Sequence, residues 1–277
     1  MKKYKVLILG TTGMLGSQMN NLFLEDKRFK IFEMNRKKKL NSIKINIENK
    51  DHLMNKIQSI NPDYVINCIG WIKQKHININ KAYEINTQFP RLLSQLALIF
   101  NFKLIHISTD CVFSGKKGNY SDDDYKDAKD LYGLSKNLGE IKNLNTVTLR
   151  TSIIGPEKRK KKYSLLEWFL LQQTEIKGFD RVFFSGLTTY EFSKIIKKYI
   201  LNNKIYNNIL NVSSKYITKF MLLKMIKKEF KKDIKIKKCK KIKINRTLNS
   251  QKFRKITGYK CPSWKKMINE MFLTYKI

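Results

Sequence analysis

Acidic side chains are scarce in this chain: 22 Asp and Glu stand against 57 Lys and Arg among 277 residues, a formal net charge of +35. Such an excess points first to nucleic acid or an anionic membrane surface. Two further absences count against both. The sequence has no aromatic–basic repeats and no zinc-type spacings, and its lysines are dispersed among abundant Ile and Asn, so no dedicated nucleic-acid partner is expected. No stretch approaches the ~20 apolar residues of a membrane-spanning helix. Cysteine is sparse too. The four, at 68, 111, 239 and 261, show no CxxC and no metal-ligand spacing, so no metal is expected and a reducing, cytoplasmic location is the economical reading. Met1-Lys2-Lys3 followed by apolar residues imitates a secretory leader, but the apolar run stops at Gly10 and its residues are needed for the turn that follows. Internal repeats are absent, and no disordered tail is expected.

The apolar run Tyr4 to Leu9 has strand length and no polar alternation, as a buried parallel strand requires. Gly10-Thr11-Thr12-Gly13-Met14-Leu15-Gly16 follows at once, and Met14 to Phe23 has helical apolar spacing. This strand–turn–helix context is that of a dinucleotide loop. Gly10 permits the tight turn, Gly13 lets backbone approach a pyrophosphate, and Gly16 lets helix and strand pack closely. The helix N-terminus then presents free amides to phosphate, which makes Gly10, Thr12, Gly13, Met14, Leu15 and Gly16 candidate cofactor residues. An acidic residue about 20 positions past the loop would mark NAD. Here the second strand ends in Asn35-Arg36, followed by Lys37, Lys38 and Lys39, with Glu33 inside the strand and too early for the ribose. A cationic strand end favours a 2′-phosphate, hence NADP(H), with NAD(H) left open; Arg36 carries that argument.

Tyr132 and Lys136 are four apart, so on a helix they project from one face. Free tyrosine has a pKa near 10, and a neighbouring ammonium is expected to bring it down. Reduction of a ketone needs a proton on the oxygen as hydride reaches the carbon, and Tyr132 is placed to deliver it. Ser108 or Thr109, ending the strand Leu104-Ile105-His106-Ile107, is placed to hold the same oxygen.

Together with Val65-Ile66-Asn67-Cys68-Ile69-Gly70, Glu84-Ile85-Asn86, Ser108-Thr109-Asp110-Cys111-Val112-Phe113-Ser114-Gly115 and Leu149-Arg150-Thr151-Ser152-Ile153-Ile154-Gly155, these segments resemble the extended short-chain dehydrogenases/reductases, within them the dTDP-4-dehydrorhamnose reductase branch. The resemblance implies an NADP(H)-dependent reductase of a nucleotide-activated 4-keto-6-deoxy sugar serving surface-polysaccharide synthesis. It implies catalytic roles for Thr109, Asp110, Tyr132 and Lys136. Cys68, Ile69, Gly70, Asn86, Ser108, Tyr132 and Lys136 join the cofactor side, and Ser108 and Thr109 the substrate side. Arg246, whose guanidinium suits a diphosphate, is a further substrate candidate, Arg254 being a similar case. The implied partner is a nucleotide diphosphate-sugar, and a homodimer is an open assembly.

Residues 1–154 alternate between strand and helix patterns, with strands near 4–9, 30–34, 43–46, 64–69, 103–108 and 146–150 and helices near 80–100 and 130–142. The fold class expected is α/β: a Rossmann doubly wound parallel sheet with a smaller C-terminal α/β substrate lobe over 155–277, one segment after 180 returning to the sheet. Lys224 to Lys243 reads as a helix and then a solvated strand, Lys158 to Lys162 as a basic lid or a solvated loop, and Leu166–Phe169 and Phe179–Phe184 as core ahead of binding surface.

Some positions depart from the branch: Cys111 stands where its rhamnose enzymes usually have Tyr, and Ala128 where they often have Pro. Trp71-Ile72-Lys73-Gln74-Lys75 and Gly186-Leu187-Thr188-Thr189 point to a sub-branch whose sugar the sequence does not name. Two other functions stay open. One is a nucleotide-sugar epimerase or dehydratase with retained NAD, although Cys111 occupies the place where dehydratases commonly carry a Glu. The other is a non-catalytic NADP-binding regulatory protein, as in the regulatory subunit of methionine adenosyltransferase.

Overall fold

The computed structural model describes residues 3–36, 42–44, 49–72, 78–158 and 163–275. The lysines at 37–39, the segment 73–75, the end of the expected third strand at 45–46 and most of the basic stretch at 159–162 lie outside the described residues.

Apolar runs become the strands of one parallel sheet. Strand β1 (Tyr4–Leu9) has its last four side chains buried, because both faces of a parallel sheet are covered by helices. It pairs on one side with β2 (Phe29–Asn35), which carries β3 (Ser42–Lys44). On its other side lies β4 (Tyr64–Asn67), followed by β5 (Lys103–Thr109) and β6 (Thr146–Thr151). Far along the chain, β11 (Asn208–Asn211) adds at the outer edge of β6, giving the seven-stranded order β11-β6-β5-β4-β1-β2-β3.

Helices cover both faces. One layer buries Leu53 and Ile57 of α2 (Lys50–Ile60) with Phe89 and Leu93 of α4 (Phe89–Ile99). The other buries Met19 and Phe23 of α1 (Met14–Leu24) with Phe192 and Ile196 of α7 (Thr189–Tyr199) and Met267 of α10 (Trp264–Tyr275). The fold is therefore the expected doubly wound α/β sheet. Strand order reverses between β1 and β4, and such a switch point is where open α/β sheets bind ligands, outside the strands' carboxyl ends.

Two expected helices are modified. The segment read as one helix over 80–100 is α3 (Ile79–Tyr83), a π-helical turn Glu84–Gln88, and α4. The helix expected over 130–142 is α5 (Leu131–Leu138), started by Asp130, whose carboxylate accepts the Gly133 amide at 2.9 Å, and ended at Gly139. A Cβ at Gly139 would lie 1.8 Å from the Asn86 carbonyl oxygen, so only glycine lets α5 end against the π turn.

The remaining chain builds short strand pairs over the sheet's carboxyl edge. These are β7 (Ile153–Ile154) with β10 (Leu187–Thr188), and β8 (Ile176–Phe179) with β13 (Ile236–Cys239). A third set centres on β9 (Val182–Phe184), flanked by β12 (Ile217–Thr218) and β14 (Ile244–Asn245). Helix α8 (Lys219–Glu229) packs on β8, β13, β12 and β9, whereas α9 (Gln251–Thr257) lies against β11; α6 spans Leu165–Leu171. Leu166 and Phe169 are core, as expected, whereas Trp168 is exposed.

A buried ion pair ties the end of β5 to its neighbours. Arg150 on β6 is fully buried and grips Glu140 through Nε at 2.7 Å and Nη2 at 2.8 Å. Its Nη1 donates to the Asp122 carbonyl at 2.7 Å, and the guanidinium lies 5.3 Å from the centre of the Phe113 ring. The Asp122 carboxylate in turn accepts the Asn211 amide of β11. Removing one partner of a buried pair strands the other charge. Arg150→Met is therefore expected to lower unfolding free energy by about 3–5 kcal/mol in urea titrations, and Arg150→Met/Glu140→Met to recover part of that loss.

Candidate active site

The turn after β1 is built as a phosphate cradle. Gly10 has φ +84°, a left-handed backbone that favours glycine. A Cβ at Gly16 would lie 2.2 Å from the Gly10 carbonyl oxygen, so α1 starts this close to β1 only because position 16 is bare. Gly13 caps α1 without a side-chain hydrogen bond, and Gly13, Met14 and Leu15 border a cavity of about 350 Å³. Uncapped amides facing a cavity suit a polyanion. Gly10, Thr12 and Gly16 shape the turn from behind instead of bordering that cavity.

At the end of β2, the position expected to read the ribose holds the buried Asn35. Its Oδ1 accepts the Thr12 amide at 3.1 Å and its Nδ2 donates to Thr11 Oγ1 at 2.7 Å. Glu33 takes the Thr11 hydroxyl at 2.6 Å and the Asn20 amide at 2.9 Å, so its carboxylate is engaged inside the strand. Arg36, next along the chain, is exposed and does not border the described cavity. Asn35 escaped sequence reading because the search there was for a free charge.

Across the switch point, Cys68, Ile69 and Gly70 border the same cavity. Asn67 shapes this loop by accepting the Ile69 amide at 3.0 Å. Burial pushes the Cys68 thiol up to about 12, leaving it a small apolar wall. Asn86, expected on the cofactor side, is instead a brace. Its Oδ1 accepts the Trp71 amide at 2.9 Å, and its Nδ2 donates to the Trp71 carbonyl at 3.1 Å and Ser135 Oγ at 3.0 Å. Thr87 adds a bond to the Ser135 carbonyl at 2.8 Å. Both Asn86 amide atoms are thus occupied inside the protein, and the π turn joins the Gly70 loop to α5.

Ser108, Thr109, Asp110, Tyr132 and Lys136 all border the cavity. Helix α5 lies hard against the turn after β5, where a Cβ at Gly133 would meet the Cys111 carbonyl oxygen at 2.3 Å. That contact brings Tyr132 to Thr109. The Thr109 hydroxyl donates to Asp110 Oδ1 at 3.2 Å and accepts the Cys111 amide at 3.1 Å. Ser108 differs from expectation: its hydroxyl donates to Glu140 at 2.7 Å, so it serves the buried ion pair, and Thr109 is left as the hydroxyl beside Tyr132. The physical reason is alternation, since consecutive strand residues face opposite ways.

The expected lowering of the tyrosine by its lysine is not what the structure gives. Burial dominates and pushes the Tyr132 phenol above its ordinary value, the nearby Cys111 thiol adding to it and a hydrogen bond with Thr109 opposing. Lys136 donates to the Ile107 carbonyl at 2.6 Å, and burial brings its ammonium down to about 8, partly offset by Glu140. A phenol held protonated is the form a proton donor needs.

Arg246 does not border the cavity. Its Nε donates to the Phe113 carbonyl at 2.8 Å and its Nη1 lies 3.9 Å from Cys111 Sγ, so it ties the lobe to the turn after β5. Arg254 donates to the Ser213 carbonyl at 3.2 Å. Phe184 from β9, weighed as core or binding surface, borders the cavity, and with it residues that went unread in the sequence: Lys219 from α8, and Glu157 with Tyr163 from the segment after β7. Glu157 accepts the Tyr163 and Ser164 amides, and its own amide donates to Glu167 at 2.9 Å. A lysine in a chain with 57 basic residues gave no signal. Among the described residues, no cluster of three or more His, Cys, Asp or Glu side chains could hold a metal, and no helix is long and apolar enough to cross a membrane.

A family model described as the RmlD substrate binding domain matches residues 4–178, the whole stretch from β1 through β8. The chain belongs to this family. Among curated relatives of the RmlD family chain, a dTDP-4-dehydrorhamnose reductase of Aggregatibacter actinomycetemcomitans is 30% identical over 155 residues, 53% of this chain and 51% of that protein. The methionine adenosyltransferase 2 subunit beta of Danio rerio is 26% identical over 136 residues, 49% of this chain and 42% of that protein. The matched stretch thus spans about half the length of these relatives. Similarity of fold extends further: a crystal structure of dTDP-4-dehydrorhamnose reductase from Bacillus anthracis in complex with NADP superposes with a TM-score of 0.85. It is 21% identical and covers 99% of this chain and 100% of that one.

Burial of Lys136 has a testable linkage. Its folded pKa of about 8 lies below the usual 10.5, so from pH 8 to 10.5 the unfolded chain binds the extra proton and stability from this group rises with pH. Thermal melts of Lys136→Met are expected to compare best with wild type at pH 7, the difference moving in the wild type's favour as pH climbs through that window.

Proposed function

We propose that the chain is an NADPH-dependent reductase of a nucleotide-activated 4-keto-6-deoxy sugar, supplying surface-polysaccharide synthesis. One observation carries the reading: Thr109, Tyr132 and Lys136 share a cavity wall with the uncapped start of α1. Under this reading, Gly13, Met14 and Leu15 hold the pyrophosphate, and the Cys68–Gly70 loop flanks the cofactor. When bound, NADPH supplies hydride to the carbonyl carbon.

The rest is the work of side chains. Thr109 donates to the substrate's carbonyl oxygen and orients it toward the phenol. Tyr132, kept protonated by burial, gives its proton to that oxygen as negative charge develops there. Lys136, anchored on the Ile107 carbonyl, holds the nicotinamide ribose and stabilises the phenolate left behind. In this structure Asp110 accepts the hydrogen bond of the Thr109 hydroxyl; that hydroxyl has one proton, and it turns from the carboxylate to the carbonyl oxygen of the substrate. At the adenosine end, the amide of Asn35 takes the position of the acidic residue that selects NAD, and Arg36 follows at the surface. That pairing supports NADP over NAD, since no carboxylate stands at the strand end to repel a 2′-phosphate.

Residues 1–154 then serve as the cofactor-binding unit and 155–277 as the substrate lobe, with β11 and α7 belonging to the former. A cytoplasmic location goes with the reading, and a homodimer is the assembly to look for by sedimentation. The similarity to the adenosyltransferase subunit motivates one rival, a cofactor-binding protein without turnover.

The deciding assay is NADPH oxidation with dTDP- and UDP-linked 4-keto-6-deoxyhexoses; folded protein that binds NADPH and turns over none of them supports the rival. Tyr132→Phe is expected to lower kcat by about 10²–10⁴-fold while leaving NADPH affinity within a small factor; near wild-type turnover would remove Tyr132 from the mechanism. Arg36→Asp is expected to shift the NADPH/NADH ratio of kcat/KM toward NADH by about tenfold or more, on the scale of one lost charge-assisted contact.

A further inference from the structure

Lys219 is the first residue of α8, directly after the cap Thr218, whose hydroxyl accepts the Met221 amide at 3.2 Å. A cation at the positive end of a helix opposes the helix dipole. Burial adds to the penalty and brings the ammonium down to about 8, with Asp110 and Cys111 as the groups that oppose the fall. Its Nζ stands 3.9 Å from the centre of the Phe184 ring. An ammonium has three protons to donate, yet among the described residues no oxygen takes a hydrogen bond from this one. Lys136, the other ammonium of the cavity, is anchored on a carbonyl. Lys219 is therefore the one held by an aromatic face alone, at the border of the cavity that also contains Thr109, Asp110 and Tyr132.

Asp110 completes the arrangement. Its carboxylate is buried and receives the Thr109 hydroxyl on Oδ1 and a hydrogen bond from the Cys111 side chain; a carboxylate has about four acceptor sites, so it can take a further donor. A sugar hydroxyl both donates and accepts, so an ammonium beside a carboxylate is a matched reader for it. In a 4-keto-6-deoxyhexose, carbon 5 bears the ring oxygen and the methyl carbon. The only hydroxyl adjacent to the carbonyl is on carbon 3. A sugar whose carbonyl oxygen meets Thr109 and Tyr132 can turn that hydroxyl toward Asp110, which borders the same cavity.

We infer that Lys219, together with Asp110, binds the 3-hydroxyl of the sugar and makes the site selective for substrates that carry it. This rests on the reductase reading above and deepens it by assigning a substrate-contacting residue to the lobe. A site built to hydrogen-bond a hydroxyl discriminates strongly against the analogue lacking it, because its buried polar groups then go unpaired.

The test compares wild type, Lys219→Met and Lys219→Arg on a nucleotide-linked 4-keto-6-deoxyhexose and its 3-deoxy analogue. Alongside, calorimetry measures binding of the reduced 6-deoxyhexose nucleotide and of NADPH. Wild type is expected to prefer the 3-hydroxyl substrate by about 100-fold or more in kcat/KM. Lys219→Met is expected to raise KM for it at least tenfold with kcat within a few-fold, to lose the preference, and to bind NADPH as wild type does. Lys219→Arg, which keeps the charge, is expected to recover part of the lost affinity. Unchanged KM and unchanged preference in Lys219→Met, with wild type active, would overturn the inference while leaving the reductase reading intact. If wild type turns over neither sugar, the reductase reading fails. Equal calorimetric affinity of wild type and Lys219→Met for the reduced nucleotide sugar would then overturn the inference as well.

Discussion

The carboxylate of Glu140 and the guanidinium of Arg150, sealed from solvent behind the end of β5, hold together the elements that carry Thr109, Tyr132 and Lys136. Glu140 follows α5, which carries Tyr132 and Lys136; Arg150 belongs to β6; Ser108 beside Thr109 donates to the same carboxylate. Through the Asp122 carbonyl the pair also anchors the segment between β5 and α5, and through the Asp122 carboxylate it reaches β11. A buried pair with both partners satisfied by several hydrogen bonds sets geometry more than it adds stability. The pair thereby fixes the angle between α5 and the strand end, and with it the approach of Tyr132 to Thr109.

Much of this architecture was legible in the sequence because a buried parallel strand writes itself as an unbroken apolar run. Tyr4–Leu9 was placed for that reason; Lys103–Thr109 and Thr146–Thr151 were placed within a residue although His106, Thr148 and Arg150 interrupt their apolar residues. The π turn at Glu84–Gln88 was not, since its cause is tertiary: the Asn86 side chain bridges Trp71 and Ser135, residues distant in sequence. The lobe resisted for a similar reason. Strands as short as Leu187–Thr188 and Ile244–Asn245 carry no period of their own and exist because partners hold them.

Within the site, residues tied to local patterns were readable and residues placed by packing were not. The glycine loop and the Tyr132–Lys136 spacing are local, and the structure brings both to one cavity. Ser108, Asn86 and Arg246 have the right chemistry at nearby positions, yet each is turned to a partner within the protein. Asn35 and Lys219 work the other way: an uncharged amide and one lysine among many gain meaning only from what surrounds them. Electrostatics shows the same division. The spacing of Tyr132 and Lys136 suggested a lowered phenol, but desolvation, which depends on the whole enclosure, pushes the phenol up and keeps it protonated.

The central claim is that this enclosure passes hydride to a sugar carbonyl while Tyr132 protonates its oxygen. Isotope transfer tests it most directly. The protein is incubated with a nucleotide-linked 4-keto-6-deoxyhexose and NADPH deuterated at nicotinamide carbon 4, each epimer separately, and the sugar is examined by NMR. The account predicts one deuterium at carbon 4 of the sugar, from one epimer only. Protein that binds both ligands yet places no deuterium in the sugar from either epimer would contradict it.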